Sequence, residues 1–189
     1  METKISWTFS DGTLTFSREG GEPCTAQSWQ EVVNMYQDSV TAVFIGNGVT
    51  QLEDCDFTEC ENLTSVTISG SVEYIGEAAF IGCESLASVV IGNSVKTIGH
   101  SAFYGCSALT SVTFGNSLHE IDKFAFSGCK ALTSVTFPDS LRIIGKHAFE
   151  RCSSLKSVFI PDTVDYIGSD SLPFDLVKDD KRYGNDDYC

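Results

Sequence analysis

The sequence predicts an α/β repeat protein, a solenoid of 23-residue coils with a parallel sheet along one face and a β-hairpin plus short helix in front of it. Three observations lead there. First, residue types return at a fixed spacing of 23. Cys60, Cys83, Cys106, Cys129 and Cys152 form one column, and Leu63, Leu86, Leu109, Leu132 and Leu155 a second. Val43 to Val158 form a third and Ile75 to Ile167 a fourth, with no slip of register. Second, each block carries a short alternating run such as Ser65-Val66-Thr67-Ile68, which puts one face toward a core and one toward solvent. Third, each block carries one phenylalanine at a fixed place, Phe57, Phe80, Phe103, Phe126 or Phe149, so stacked blocks would build an internal aromatic spine.

A period of 20 to 29 residues with apolar positions spaced L-x-x-V-x-I marks a leucine-rich solenoid. In such a fold each coil owes its shape to its neighbours, since one coil alone buries too little to order itself. The chain divides into a capping module at 1–37, a solenoid at 38–172 and a charged tail at 173–189.

In the capping module Ile5, Trp7 and Phe9 alternate with polar residues, as do Leu14 and Phe16 after Asp11-Gly12. Two short strands joined by Asp-Gly read as a hairpin, because Gly accepts the positive φ of such a turn. Past the loop 20–25, Ser28 and Glu31 have the spacing of a capping box, and Trp29, Val32, Val33 and Tyr36 lay one apolar stripe on a short helix.

The coils run at about 38–60, 61–83, 84–106, 107–129 and 130–152, with a partial one from Ser153 to Leu172. After the main strand comes a turn, Gly-Asn-Ser at 92–94 and 115–117 and Pro-Asp at 138–139 and 161–162, with Pro and Asp expected at its central positions. A second extended piece, Val72 to Ile75 and its equivalents, again sends two apolar residues inward. Gly76, Gly99, Gly145 and Gly168 are then expected to redirect the chain, and Ala79-Phe80 and its equivalents to form a single helical or 3₁₀ turn. Pro173 to Val177 is expected to cover the last coil.

The bulk numbers exclude several functions. With 42% hydrophobic and 20% charged residues a packed core is expected. A net charge of -14 without any Lys/Arg cluster repels phosphate, which argues against nucleic acid and anionic membrane surfaces as partners. No apolar run is long enough to span a bilayer. The start METKISWTFSDG lacks the positive-then-apolar pattern of a secretion signal, so the residues alone leave a cytoplasmic location open.

The five column cysteines are expected to be reduced and buried, because stacked coils sit about 4.8 Å apart while a disulfide wants Cβ atoms about 3.8 Å apart. Cys24, Cys55 and Cys189 belong to no column. His100, His119 and His147 fall in three different columns, so no shared metal is expected, and no cofactor motif occurs. No serine stands in G-x-S-x-G, and a buried apolar thiol column lacks the positive charge that activates a nucleophile, so no catalysis is expected.

Two surfaces remain as candidate binding sites. The outward side of the main strands carries Phe44, Ser65, Thr67, Ser88, Val90, Ser111, Thr113, Ser134, Thr136, Ser157 and Phe159. Exposed Phe44, Val90 and Phe159 would make it a shallow docking face; otherwise Ser and Thr there simply suit a solvated sheet. The rim beyond the strand, with Glu73, Tyr74, Lys96, His119, Glu120, Arg142, Asp165 and Tyr166, varies from coil to coil and reads more readily as a solvated face.

The columns C-x-x-L-x-x-V-x-I and V-x-x-I-G-x-x-A-F-x-G-C resemble the BspA-like class of bacterial leucine-rich repeats over about residues 38–172. The segment W-T-F-S-D-G-T-L-T-F is similar to the module found in front of such arrays. Asp122 and Arg151 stand where that pattern has Gly. The resemblance implies a curved right-handed solenoid, a surface-exposed or secreted adhesion module without enzymatic activity, and a protein or glycan partner. The alternative expectation is an assembly element that pairs chains into homodimers or arrays through the coil end near Leu172 or the Cys189 tail.

Overall fold

The structure, a computed structural model, describes residues 6–17, 27–173 and 176. Ile5, the loop holding Cys24, the side chains of Ser28 and Trp29, and the tail with Cys189 lie outside them, so the expectations placed on those residues are not addressed. Strands β1 (Ser6–Ser10) and β2 (Thr13–Ser17) form the expected antiparallel hairpin, with Trp7 opposite Phe16 and Phe9 opposite Leu14. Asp11 and Gly12 at the turn both take positive φ, 50° and 75°, the signature of the turn that matches strand twist. Helix α1 (Gln27–Tyr36) begins one residue before the expected cap Ser28. It buries Val32 and Val33, and Tyr36 stacks on Phe9 at 4.3 Å between ring centroids.

The main strands are β3 (Ala42–Ile45), β5 (Ser65–Ile68), β7 (Ser88–Val90), β9 (Ser111–Thr113), β11 (Ser134–Thr136) and β13 (Ser157–Phe159). They alternate along the chain with two-residue strands β4 (Gln51–Leu52), β6 (Tyr74–Ile75), β8 (Thr97–Ile98), β10 (Glu120–Ile121), β12 (Ile143–Ile144) and β14 (Tyr166–Ile167). Each set pairs parallel to its own kind at an offset of one coil, Val43 with Val66 and Leu52 with Ile75, for example. The hairpin is continuous with the main sheet, because β2 pairs parallel with β3, Leu14 against Val43.

The second sheet runs unbroken from β4 to β14, whereas the main sheet stops at β9 and resumes as the pair β11–β13. The break coincides with a change of core residue. Ile45, Ile68 and Ile91 are followed in their column by Phe114 and Phe137, whose rings lie 5.8 Å apart and wedge edge-on against Phe126 and Phe149. Strands β9 and β11 remain neighbours there but do not share a ladder.

The core is one continuous column. All five cysteines of the repeat are buried and unpaired, and the five repeat phenylalanines are fully or almost fully buried. Their rings stack at 5.0 to 5.1 Å with planes within 9° of parallel. The sulfurs of Cys83, Cys106, Cys129 and Cys152 each donate to the carbonyl of the spine phenylalanine one coil earlier, at 3.1 to 3.4 Å. The cysteine column is therefore a small apolar filler with one weak donor that meets a buried carbonyl.

Three sequence expectations about the turns are corrected. The Ala79-Phe80 stretch is a pair of separate turns, closed by Ile81 on the Ala78 carbonyl and Cys83 on the Phe80 carbonyl, and not a continuous helical or 3₁₀ turn. Cys55, Ala78, Ser101, Phe124, His147 and Asp170 form a column at φ 53° to 62°, and Glu59, Gly82, Gly105, Gly128 and Arg151 a second left-handed column four residues on. A left-handed residue at each end of the stretch prevents a helix. Alternate amides, those of Ala78, Phe80 and Gly82, pair with the next coil, Phe80 to the Ala102 carbonyl at 2.7 Å, for example.

Gly76, Gly99, Gly145 and Gly168 consequently do not turn the chain. They are needed for close approach: a Cβ on Gly145 would stand 2.6 Å from the backbone of Asp122 and Lys123. In the other turn, Pro138 and Pro161 sit at the first corner, their carbonyls accepting from Leu141 and Val164, so Asp139-Ser140 and Asp162-Thr163 are central.

Candidate functional site

The outward column of the main sheet is exposed where the sequence predicts apolar residues. Phe44, Val90 and Phe159 are 42%, 44% and 59% exposed. Ser111, Thr113, Ser134, Thr136 and Ser157 are also exposed, while Ser65, Thr67 and Ser88 are half-buried. Parallel pairing places Phe44, Thr67, Val90 and Thr113 side by side across β3, β5, β7 and β9, and Thr136 beside Phe159 across β11 and β13. Backbone groups are paired within β3–β9 and within β11–β13, so on those stretches the chemistry of the face is that of side chains: methyls, hydroxyls and three apolar residues, without a charge.

The rim behaves differently along its length. In the early coils side chains meet across coils, Lys96 paired with Glu73 at 2.6 Å and the Nδ1 of His100 at 3.4 Å from Glu77, both in solvent. Exposed pairs of this kind contribute little. In the later coils a hollow of about 720 Å³ opens on the outward side of β10, β12 and β14. Glu120, Arg142, Asp165 and Tyr166, named from sequence as rim residues, line it. So do His100, Asp122, Lys123, Ile143, Gly145 and Lys146, which sequence reasoning did not assign to a site. The signal that could have found them is the glycine column, which removes side chains beside the strand and leaves a trough with a backbone floor.

Burial first, and then the Asp122 carboxylate, push the Glu120 carboxyl upward. Tyr74, 23 residues from Thr97 and 46 from Glu120 on the same face, is raised by burial and then by Asp54, Asp122, Glu77 and Glu120.

Three of the buried column thiols are held protonated, while the neighbouring Cys83 thiol lowers Cys60 against the effect of burial. Burial pushes Cys106 up to about 12, and Cys83 and Cys129 are raised by their neighbouring thiols and then by burial. Among the described residues no group of three or more His, Cys, Asp or Glu side chains is placed to hold a metal ion.

A parallel-strand solenoid with these columns can be compared with known proteins. The profile of the BspA type leucine rich repeat region matches residues 34–130 and 73–174, in six copies. The chain belongs to the BspA-type leucine-rich repeat family. Solved relatives agree in fold. A leucine-rich repeat protein of T. pallidum is 29% identical at a TM-score of 0.63, the match covering 84% of this chain and 69% of that one. A leucine-rich repeat protein from Bacteroides ovatus is 30% identical at 0.62, with 87% and 41% covered.

A leucine rich cell surface protein from Faecalibacterium prausnitzii is 28% identical at 0.59, with 88% and 44% covered. The chain thus spans less than half the length of these last two BspA-type relatives. No curated protein is similar enough to the chain to be matched. BspA-type repeats are typical of protein-binding and adhesion proteins, and this family is one of repeat proteins and not of enzymes. No helix among the described residues is long and apolar enough to cross a membrane.

Proposed function

We propose that the protein is a non-enzymatic binding module that presents the outward side of its main sheet to a protein partner at the cell surface or outside the cell. The observation that carries this reading is the exposure of Phe44, Val90 and Phe159 on an otherwise neutral hydroxyl-rich face. Three large apolar side chains held in solvent on a rigid sheet are anchors for a partner's pockets, since aromatic residues carry much of the energy of protein interfaces. A face without charge suits a chain of net charge -14 that must still let a partner approach. The surface location is supported by family membership and by the cell-surface description of the F. prausnitzii relative.

The test is a Phe44→Ala plus Phe159→Ala variant in pull-downs with cross-linking mass spectrometry. Both side chains are exposed, so the melting temperature should change little. A partner cross-linked to the main-sheet face should be lost in the variant. Equal capture by both proteins, or cross-links confined to other faces, would overturn the reading.

A further inference from the structure

The hollow on the second sheet lies on a different face from the proposed docking surface and has a different chemistry. Its floor is Ile143, 36% exposed, and Gly145, where no side chain fits above the backbone of the preceding coil. Strand pairing sets Glu120 on one side of Ile143 and Tyr166 on the other. Asp122 adds a second carboxylate beside Glu120, and its Oδ1 accepts from the Lys123 amide at 2.6 Å. At the opposite edge the Nη1 of Arg142 donates to the carbonyls of Asp139 and Leu141, at 2.8 and 2.9 Å. Those bonds hold the guanidinium plane in place and leave its other N–H groups to donate outward.

We propose that this hollow is a binding site for a neutral oligosaccharide. Three features of the hollow select that class. The lining is charge-balanced, Glu120, Asp122 and Asp165 against Lys123, Arg142 and Lys146, in a chain with only 12 Lys and Arg against 26 Asp and Glu. An ion of either sign meets as much repulsion as attraction there.

The backbone offers an extended peptide nothing, because β10 and β12 are each paired on both sides and cannot accept another strand. What remains is a set of planar polar groups around an apolar floor. Carboxylates and a guanidinium match adjacent hydroxyls two bonds at a time, while the C–H face of a sugar ring lies against Ile143 and the Tyr166 ring. The raised Glu120 carboxyl agrees with this, being a partly desolvated acceptor short of donors that sugar hydroxyls supply.

Maltotriose, cellotriose and N-acetylchitotriose, titrated into the full chain while amide NMR signals are followed, test the site. Trigalacturonate and trilysine serve as anionic and cationic controls. At least one neutral trisaccharide should shift the amides of 120–123 and 143–146, and Glu120→Gln should weaken it by about tenfold, the worth of one charge-assisted hydrogen bond. Ile143→Ala, a change at an exposed side chain, should weaken it as well. The Phe44→Ala plus Phe159→Ala variant should bind the sugar unchanged, so failure of this site and failure of the docking face are separable. Shifts caused only by trigalacturonate, only by trilysine, or by none of the five ligands overturn the proposal.

Discussion

Asp56 stands in a column filled in the next four coils by Ala79, Ala102, Ala125 and Ala148. It is buried, its Oδ2 accepts from the Glu53 amide at 2.8 Å, and among the described residues no cation acts on it. Burial, with lesser contributions from Glu53 and Asp54, raises its carboxyl from 3.8 to about 7, against the lowering effect of that one hydrogen bond. The folded state therefore holds the proton more tightly than the unfolded chain does. Asp56's contribution to stability is fully present below the unfolded value near 3.8 and is lost as pH rises through about 7. The loss is on the order of a few kcal/mol. Asp56→Asn keeps an acceptor for Glu53 and removes the charge, so its urea midpoint should exceed that of the unaltered protein at pH 8 and stay close to it near pH 4.5. An equal change at both pH values would sink this account. The break in the alanine column is visible in the sequence; that the carboxylate has no counter-charge is not, because only the packed coil shows which groups face it.

At the scale of elements, the glycines next to the second sheet have two different reasons to exist. Gly82, Gly105 and Gly128 take φ of 73° to 79°, which an L side chain disfavours, and Arg151 takes the equivalent 59° at the next coil. Gly76, Gly99, Gly145 and Gly168 have ordinary φ and are needed because the coil before them passes too close. Gly145→Ala should therefore destabilise by about 1 to 3 kcal/mol, as over-packing against an unyielding backbone does. Gly70→Ala, where a Cβ would meet nothing within 4 Å, should be close to neutral. Denaturant midpoints of the two variants decide, and equal effects would remove the close-approach explanation. The glycine column itself was legible in the sequence. Its purpose was misread as chain reversal, because single-residue patterns do not carry the distance between coils. The break between β9 and β11 was hidden for a related reason: Ser111 to Thr113 and Ser134 to Thr136 repeat the same pattern, which does not carry whether two coils share a ladder.

Across the whole molecule, the spine of Phe57, Phe80, Phe103, Phe126 and Phe149 links every coil to the next. In such an array stability is roughly the sum of coil terms and nearest-neighbour terms. Phe103 contacts a ring on both sides, so Phe103→Ala should cost about 3 to 5 kcal/mol and uncouple the halves on either side of it. The urea transition of that variant should broaden, with a lower m-value, whereas Phe149→Ala should fray the last coils and leave the amides of 63–103 protected in hydrogen exchange. A sharp, merely shifted transition for Phe103→Ala would show that the coils unfold as one unit.

The sequence by itself determined the period, the identity of every core column, the hairpin and the uncharged apolar-and-hydroxyl face of the main sheet. Those are properties of which residue recurs where, and alternation within a strand assigns each to one face. The tertiary structure alone decided the left-handed corners, the interruption of the main sheet and the hollow on the second one. Each of these depends on how residues 23 positions apart meet across neighbouring coils, and a one-dimensional pattern contains the repeat of such contacts but neither their distances nor the space left between them.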